Sequence, residues 1–187
     1  MVPKEMKVGK IYKVFEARDG RKVTLRTPRW DDLDDLLEFI NILVEEGAEI
    51  MIDEKQTRDQ EIDWLARVLP KIEKSEYIWV AAEADGKLMG NSEVERVSAR
   101  RQSHVGIFGI AIRDGYRDIG IGTEMMKTLI DESRKAGLKI LILDVFATNG
   151  RARHVYEKVG FREVGKIPKA LFKNGEYIDE IRMALEL

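Results

Sequence analysis

Between Leu138 and Phe146 the chain carries a nearly continuous apolar run, Leu138-Lys139-Ile140-Leu141-Ile142-Leu143-Asp144-Val145-Phe146. A strand with so little alternation is expected where both faces are covered by other elements. The run therefore predicts an interior strand with helices packed on it. The segment before it, Gly120 to Ala136, supplies one such helix. Met125, Met126, Leu129 and Ile130 fall on its inner side, and Gly137 ends it.

The remaining periodicities extend this into a whole domain. Val23-Thr24-Leu25-Arg26 alternates like a strand, and Thr27-Pro28 breaks it ahead of a helix from Asp31 to Glu46. In that helix Leu33, Leu36, Leu37, Ile40, Leu43 and Val44 recur at helical spacing, acids occupy the first turn, and Gly47 closes it. Thr57-Arg58-Asp59-Gln60 has the form of a capping box and opens a second helix that buries Ile62, Leu65, Leu69 and Ile72. Strands follow over Tyr77 to Ala84 and Lys87 to Val97, joined by Asp85-Gly86, and a third over His104 to Ile112, interrupted by Gly106 and Gly109. A short helix from Asn149 to Lys158 ends at Gly160. Arg162 to Phe172 and Tyr177 to Leu187 then form a hairpin around Asn174-Gly175. The order describes one α/β domain with a mixed central sheet of about seven strands and about four helices. Its core spans about residues 22–187, with 1–21 as an N-terminal extension.

At 187 residues with 44% hydrophobic content, the chain can bury one sizeable core and is short for two. Lys and Arg total 32 against 34 Asp and Glu, so the net charge of -2 creates no field that would gather nucleic acid or an anionic membrane. No stripe of basic residues with interleaved aromatics is present either. The absence of cysteine removes disulfides, thiolate metal sites and a cysteine nucleophile, and two separated histidines make no transition-metal site. Met1 to Lys7 is charged where a secretory signal would be apolar, and no run reaches membrane-spanning length, so a soluble, cytoplasmic protein is expected. Its 35% charged content without cysteine would suit a thermophile.

The chemistry concentrates in Ile110-Ala111-Ile112-Arg113-Asp114-Gly115-Tyr116-Arg117-Asp118-Ile119-Gly120-Ile121-Gly122-Thr123, a strand, a Gly-rich turn and a helix start. Exposed N–H groups at a helix start carry the positive end of the dipole, and glycine lets an anion approach them. The segment lacks the third glycine of a dinucleotide fingerprint, and Gly122 is followed by Thr123-Glu124 rather than by the Lys-Ser or Lys-Thr of a Walker loop. A plain strand-to-helix turn is the competing reading.

Two matches in order decide between them. Arg117-x-x-Gly120-x-Gly122 after Ile110-Ala111-Ile112 resembles the acetyl-CoA motif of the GNAT acetyltransferase superfamily. Asn149-Gly150-Arg151-Ala152-x-x-x-Tyr156-Glu157-Lys158-x-Gly160-Phe161 resembles its second motif. The resemblance implies a GNAT-like fold and an acetyl-CoA-dependent N-acetyltransferase without a metal. The acetyl group would pass directly to a primary amine of a small amino compound or amino acid. A protein N-terminus or lysine as acceptor, or a non-catalytic acetyl-CoA sensor, are the alternatives. It further implies that the main chain of Ile110 and Ile112 pairs with the pantetheine arm, with Ala111 also at the cofactor and an N–H near Ile110 stabilising the oxyanion. The N–H groups of Ile119, Gly120, Ile121, Gly122 and Thr123 would hold the pyrophosphate, assisted by Arg117, and Asp118 would also contact the cofactor. Asn149 and Ala152 would contact the cofactor. Read from the residues alone, Arg117 could equally be a solvated surface arginine and Asn149 a helix N-cap. Tyr156 is implied as the proton donor to the departing thiolate, in keeping with a phenol's pKa of about 10.

For the general base, many family members use a Glu or His at the position that Gly106 occupies here, which has no side chain. His104 ranks first as a substitute, followed by Glu93 or Glu95 acting through water. His154 carries little weight. A site without a strong base would favour α-amines, whose pKa is about 8, over lysine amines at about 10.4. His104-Val105-Gly106-x-x-Gly109-Ile110 and Asn174-Gly175-Glu176-Tyr177-Ile178-Asp179-Glu180 resemble a branch acting on small amino compounds or amino acids. The acceptor is expected near Glu49 to Glu54, Tyr177 and Asp179. A homodimer through sheet edges or the hairpin is compatible with the pattern.

Overall fold

The computed structural model describes residues 7–187, so the stretch from Met1 to Met6 on which the reading of a leaderless N-terminus partly rests lies outside the described residues. Eight strands form one sheet: β1 (Ile11–Glu16), β2 (Lys22–Arg26), β3 (Tyr77–Ala84), β4 (Lys87–Arg96), β5 (Val105–Ile112), β6 (Ile140–Phe146), β7 (Arg162–Lys173) and β8 (Glu176–Glu186). Four helices accompany them: α1 (Leu33–Glu45), α2 (Arg58–Glu73), α3 (Ile121–Lys135) and α4 (Gly150–Lys158). The spatial order is β1-β2-β3-β4-β5-β6-β8-β7. The β5–β6 pair is parallel and every other pair is antiparallel. Among the described residues no helix is long and apolar enough to cross a membrane.

Local chemistry explains the punctuation. Asp85-Gly86 and Asn174-Gly175 all have positive φ, the geometry of the two-residue turn whose twist matches flanking strands. The capping box at α2 is complete: Gln60 N–H donates to Thr57 Oγ1 at 3.3 Å and Thr57 N–H to Gln60 Oε1 at 2.8 Å. The α1 and α2 helices cover one face of the sheet, burying Leu33, Leu36, Leu65, Val68 and Ile72 on Tyr77, Trp79, Ala81 and Leu88. Helix α3 covers the other, setting Ile121, Met125, Met126 and Leu129 on Val80, Ala82, Val94 and Phe108. Arg26 bolts the first face to the α1 entrance, with paired 2.7 Å bonds to Asp32 and a third 2.7 Å bond to Glu83, all from a guanidinium that is itself buried.

Two sequence expectations change. The presumed extension supplies β1, an eighth strand, which pairs with β2 and turns at Ala17 to Gly20. Strand β6 is covered on one face rather than two: Leu141, Leu143 and Val145 are buried, whereas Ile140 and Ile142 are half-buried and Asp144 is exposed. Asp144 holds Arg182 of β8 through bonds of 2.7 and 2.8 Å. The reason is position, since α1 and α2 pack on β3 and β4 and leave the outer face of β6 to solvent.

Candidate active site

The site begins with a break in the sheet. Strands β5 and β6 pair at Val105↔Ile140, Gly106↔Leu141 and Ile107↔Ile142, and the ladder stops there. Beyond it, β6 continues to Phe146 against β8, and β5 continues to Ile112 against β4. The direction of the β5 backbone follows from its flanking bonds. Val97 N–H reaches the Val105 carbonyl and Arg113 N–H the Met89 carbonyl, so odd-numbered residues turn their main chain to β4. Phe108, Ile110 and Ile112 therefore turn theirs toward the splay, as expected for Ile110 and Ile112. Ala111 does not join them, because its main chain belongs to the β4 ladder opposite Asn91.

At the open end of the splay stands the start of α3. Gly120 caps it with φ +97°, which L side chains rarely adopt. The first helical bond is Glu124 N–H to the Gly120 carbonyl, leaving the N–H groups of Ile121, Gly122 and Thr123 without partners inside the helix. The Arg117 side chain, in contrast, is turned inward. Its Nε donates to the Ile112 carbonyl at 2.7 Å and its Nη2 to Glu46 at 2.6 Å, so it fastens the loop to α1. Asp118, at φ +63°, pairs with Arg151 at 2.7 Å and links the loop to the start of α4.

The turn between β1 and β2 adds an unforeseen neighbour. Arg18 N–H donates to the Ile119 carbonyl at 3.0 Å, and the Arg18 side chain passes 3.9 Å from where a Cβ on Gly120 would stand. Its guanidinium makes no bond or ion pair with another described residue, whereas Arg21 beside it is held by Asp19, the Gly115 carbonyl and the Tyr116 ring.

Asn149 is the N-cap that its sequence position suggested, its Oδ1 accepting from Ala152 N–H at 3.0 Å. Tyr156 is buried on the α3 face, edge-on to Phe108 with ring centroids 6.0 Å apart. Burial, and then the charge of Glu93, push its phenol up to about 12.

The possible bases separate clearly. His104 is exposed at the closed end of the β5–β6 pair, where its carbonyl accepts from Lys139 N–H at 2.8 Å. It precedes Ile110 by six residues, about 20 Å along a strand, and is not brought to the splay. His154 is exposed on α4. Gly106 faces the α3 core, where a Cβ would lie 2.4 Å from Val94 Cγ1 and close to Leu138 and Leu141, so packing excludes any side chain there. Glu93, on β4, sits opposite Gly109 on the α1/α2 face. A Cβ at 109 would come within 2.8 Å of its Oε1, so the carboxylate lies directly on the bare backbone of β5 beside Ile110. Although Glu93 retains some exposed surface, burial of its carboxylate pushes it up to about 7; a bond from Asn91 opposes the rise and the charge of Glu95 adds to it. Glu95 is engaged by Lys71 at 2.6 Å. A buried carboxylate therefore lies beside the free edge of β5, and the argument for α-amines from a missing base falls away.

Acetyl-CoA carries a phosphate-bearing nucleotide end and a long amide-bearing arm. The unpaired edge of β5 offers main-chain partners to such an arm, and the α3 N-terminus offers N–H groups to its phosphates. A family model described as the acetyltransferase (GNAT) family matches residues 34–161. The chain belongs to the GNAT family. It is similar to the L-amino acid N-acetyltransferase AaaT of Escherichia coli, 28% identical over 159 residues that cover 73% of this chain and 98% of that protein. Among solved structures, the GNAT acetyltransferase of Streptococcus pneumoniae superposes with a TM-score of 0.80 at 23% identity, covering 88% of this chain and 99% of the other. The acetyltransferase yncA of Salmonella typhimurium, solved with its cofactor acetyl-CoA, gives 0.78 at 20% identity over 88% and 93% of the two chains. This GNAT protein is an acetyl-CoA-dependent N-acetyltransferase.

Proposed function

We propose that the protein acetylates the α-amino group of a small amino acid or related amine, with Glu93 as general base and Tyr156 as general acid. The observation that carries this reading is the Glu93 carboxylate resting on the bare Gly109 backbone, next to the free edge of β5 where the thioester would lie.

The pKa match favours an α-amine. A base near 7 lies closer to an α-ammonium than to a lysine ammonium of about 10.4. Acetyl-CoA supplies an activated acetyl group as a thioester. Glu93 accepts the amine's proton at Oε1 from the α1/α2 side of the sheet. Tyr156 stands on the α3 side and donates its hydroxyl proton to the leaving sulfur. The two steps reinforce each other: the charge of Glu93 is part of what holds the Tyr156 proton so tightly, so its neutralisation makes Tyr156 the better donor.

A small acceptor is in keeping with surface contacts that cross the same face. The loop after α1 is tied across to the far side of the splay, Lys173 Nζ donating to the Gly47 carbonyl at 2.6 Å and the Thr148 hydroxyl to Glu49. A protein N-terminus or a lysine tail would need a wider groove. The name of the Escherichia coli relative points to the same acceptor class.

The test is release of thiol from acetyl-CoA against a panel of L-amino acids, polyamines and short peptides. Turnover on the amino acids is expected, with an acidic limb near pH 7 that Glu93→Gln removes and a fall in kcat for Tyr156→Phe. Turnover confined to peptides or polyamines would overturn the acceptor class.

A further inference from the structure

Three side chains on the α1/α2 face form a chain of contacts that ends on Glu93. Asn91 and Glu93 lie two residues apart on β4 and so point to the same side, and Trp79 stands directly opposite Glu93 on β3. The Trp79 indole N–H donates to Asn91 Oδ1, and Asn91 Nδ2 donates to Glu93 Oε2 at 2.9 Å. The chemistry of the indole fixes the order. It can only donate, so the Asn91 atom it meets must be the carbonyl oxygen, and the amide nitrogen is left to face the carboxylate. With the amide turned over, two oxygens would meet and Glu93 would lose its partner. Trp79 has no room to move: it is fully buried, edge-on to Trp64 at 4.8 Å and to Tyr77 at 6.1 Å.

We propose that Trp79 and Asn91 are positioning residues for the reaction: together they hold Glu93 Oε2 and leave Oε1, lying over Gly109, as the oxygen that receives the acceptor's proton. The inference rests on Glu93 being the base. Gly109 is the third member, because a methyl group there would displace Oε1 from the backbone. The charged and titratable groups around Glu93 are Glu95 on its own strand, paired with Lys71 of α2, Tyr77 on β3 and Tyr156 on α4. Arg67 of α2 lies near Tyr77 and opposes the rise of its phenol.

The experiment follows the Glu93 carboxyl carbon by NMR titration of the 13C-labelled full chain, which needs no acceptor. Wild type, Asn91→Ala, Trp79→Phe and Glu93→Gln are compared, the last assigning the resonance. Losing a hydrogen bond to the charged carboxylate disfavours ionisation, so both Asn91→Ala and Trp79→Phe are expected to raise the midpoint by about one pH unit. Trp79→Phe keeps one aromatic ring but removes the N–H together with part of the indole, and thermal melts identify a variant that fails to fold. In the thiol-release assay, with L-methionine as acceptor, the acidic limb is expected to move with the NMR midpoint, with KM for acetyl-CoA unchanged. Unmoved midpoints in both variants, or a downward shift as water enters the space, overturn the positioning role. Midpoints that shift while Glu93→Gln keeps full turnover and its acidic limb overturn the base itself, so the two failures are distinct.

Discussion

Replacing Glu93 by glutamine should stabilise the protein while disabling it, and the size of the gain is set by the carboxylate's surroundings. Its ordinary value of 4.5 rises to about 7 in the fold. A carboxyl raised on folding is a liability when ionised: the cost is fully present above the folded value and disappears as pH falls toward the unfolded one. A rise of roughly 2.5 corresponds to about 3 kcal/mol at pH 8, where both states are ionised, and to about 1 kcal/mol at pH 5, where the folded protein already holds the proton. Glutamine carries no charge and keeps an oxygen for the Asn91 amide. For a domain of this length, 3 kcal/mol is roughly 8 °C in melting temperature. Parallel thermal and urea unfolding of wild type and Glu93→Gln between pH 5 and 8 measures it without knowledge of the acceptor. A variant no more stable than wild type at pH 8, or a gap that does not narrow toward pH 5, would refute the buried-charge reasoning on which the base assignment leans.

Other outcomes follow from the same contacts. Arg18→Ala should weaken acetyl-CoA binding about tenfold by calorimetry, the worth of one charge-assisted contact, and leave S-acetylpantetheine, which lacks the phosphates, unaffected; equal losses for both would place Arg18 elsewhere. Asp32→Ala leaves the buried Arg26 guanidinium with Glu83 as its remaining ion-pair partner and should cost about 3–5 kcal/mol in urea unfolding, whereas replacing Arg26 and Asp32 together by apolar residues should recover much of it. Gly106→Ala forces a methyl group to within 2.4 Å of Val94 and should cost about 1–3 kcal/mol of stability. A neutral result there would mean that the family's usual base position is open after all.

What could be read from the sequence was whatever local chemistry dictates. The two hairpin turns, the Thr57 capping box and the Gly120 helix start require particular residue types at fixed spacing, and the structure has them where those residues fall. Strand β1 was hidden because it is an edge strand with no buried residue, so Ile11 to Glu16 lacks a strong inward stripe. Its one signal was Asp19-Gly20, a turn with strand-forming residues on both sides. The anchoring of Arg117 to Glu46 had no local signal, because the two residues are 71 positions apart. The base was ranked by residue type, which favoured His104. Register is the basis for proposing Glu93 instead: its pairing with Gly109 puts a glutamate of one strand in the space that its neighbour leaves free.

That pairing also explains how one strand can serve two ligands. Even-numbered residues of β5 bury Phe108 against α3 and α4 and turn their main chain to the splay, so the cofactor edge depends on packing behind it. Odd-numbered residues do the reverse. Ile107, Gly109 and Ala111 lock their main chain to β4 and present side chains on the α1/α2 face, where Ile107 is 50% exposed. Under the proposed mechanism, substitutions at 107 and 111 are expected to reshape the acceptor side without moving the peptide groups of β5 that face the splay. Position 109 is the exception, since any side chain there moves Glu93. A protein built this way can vary its acceptor while keeping its donor, provided that the glycine under the carboxylate stays.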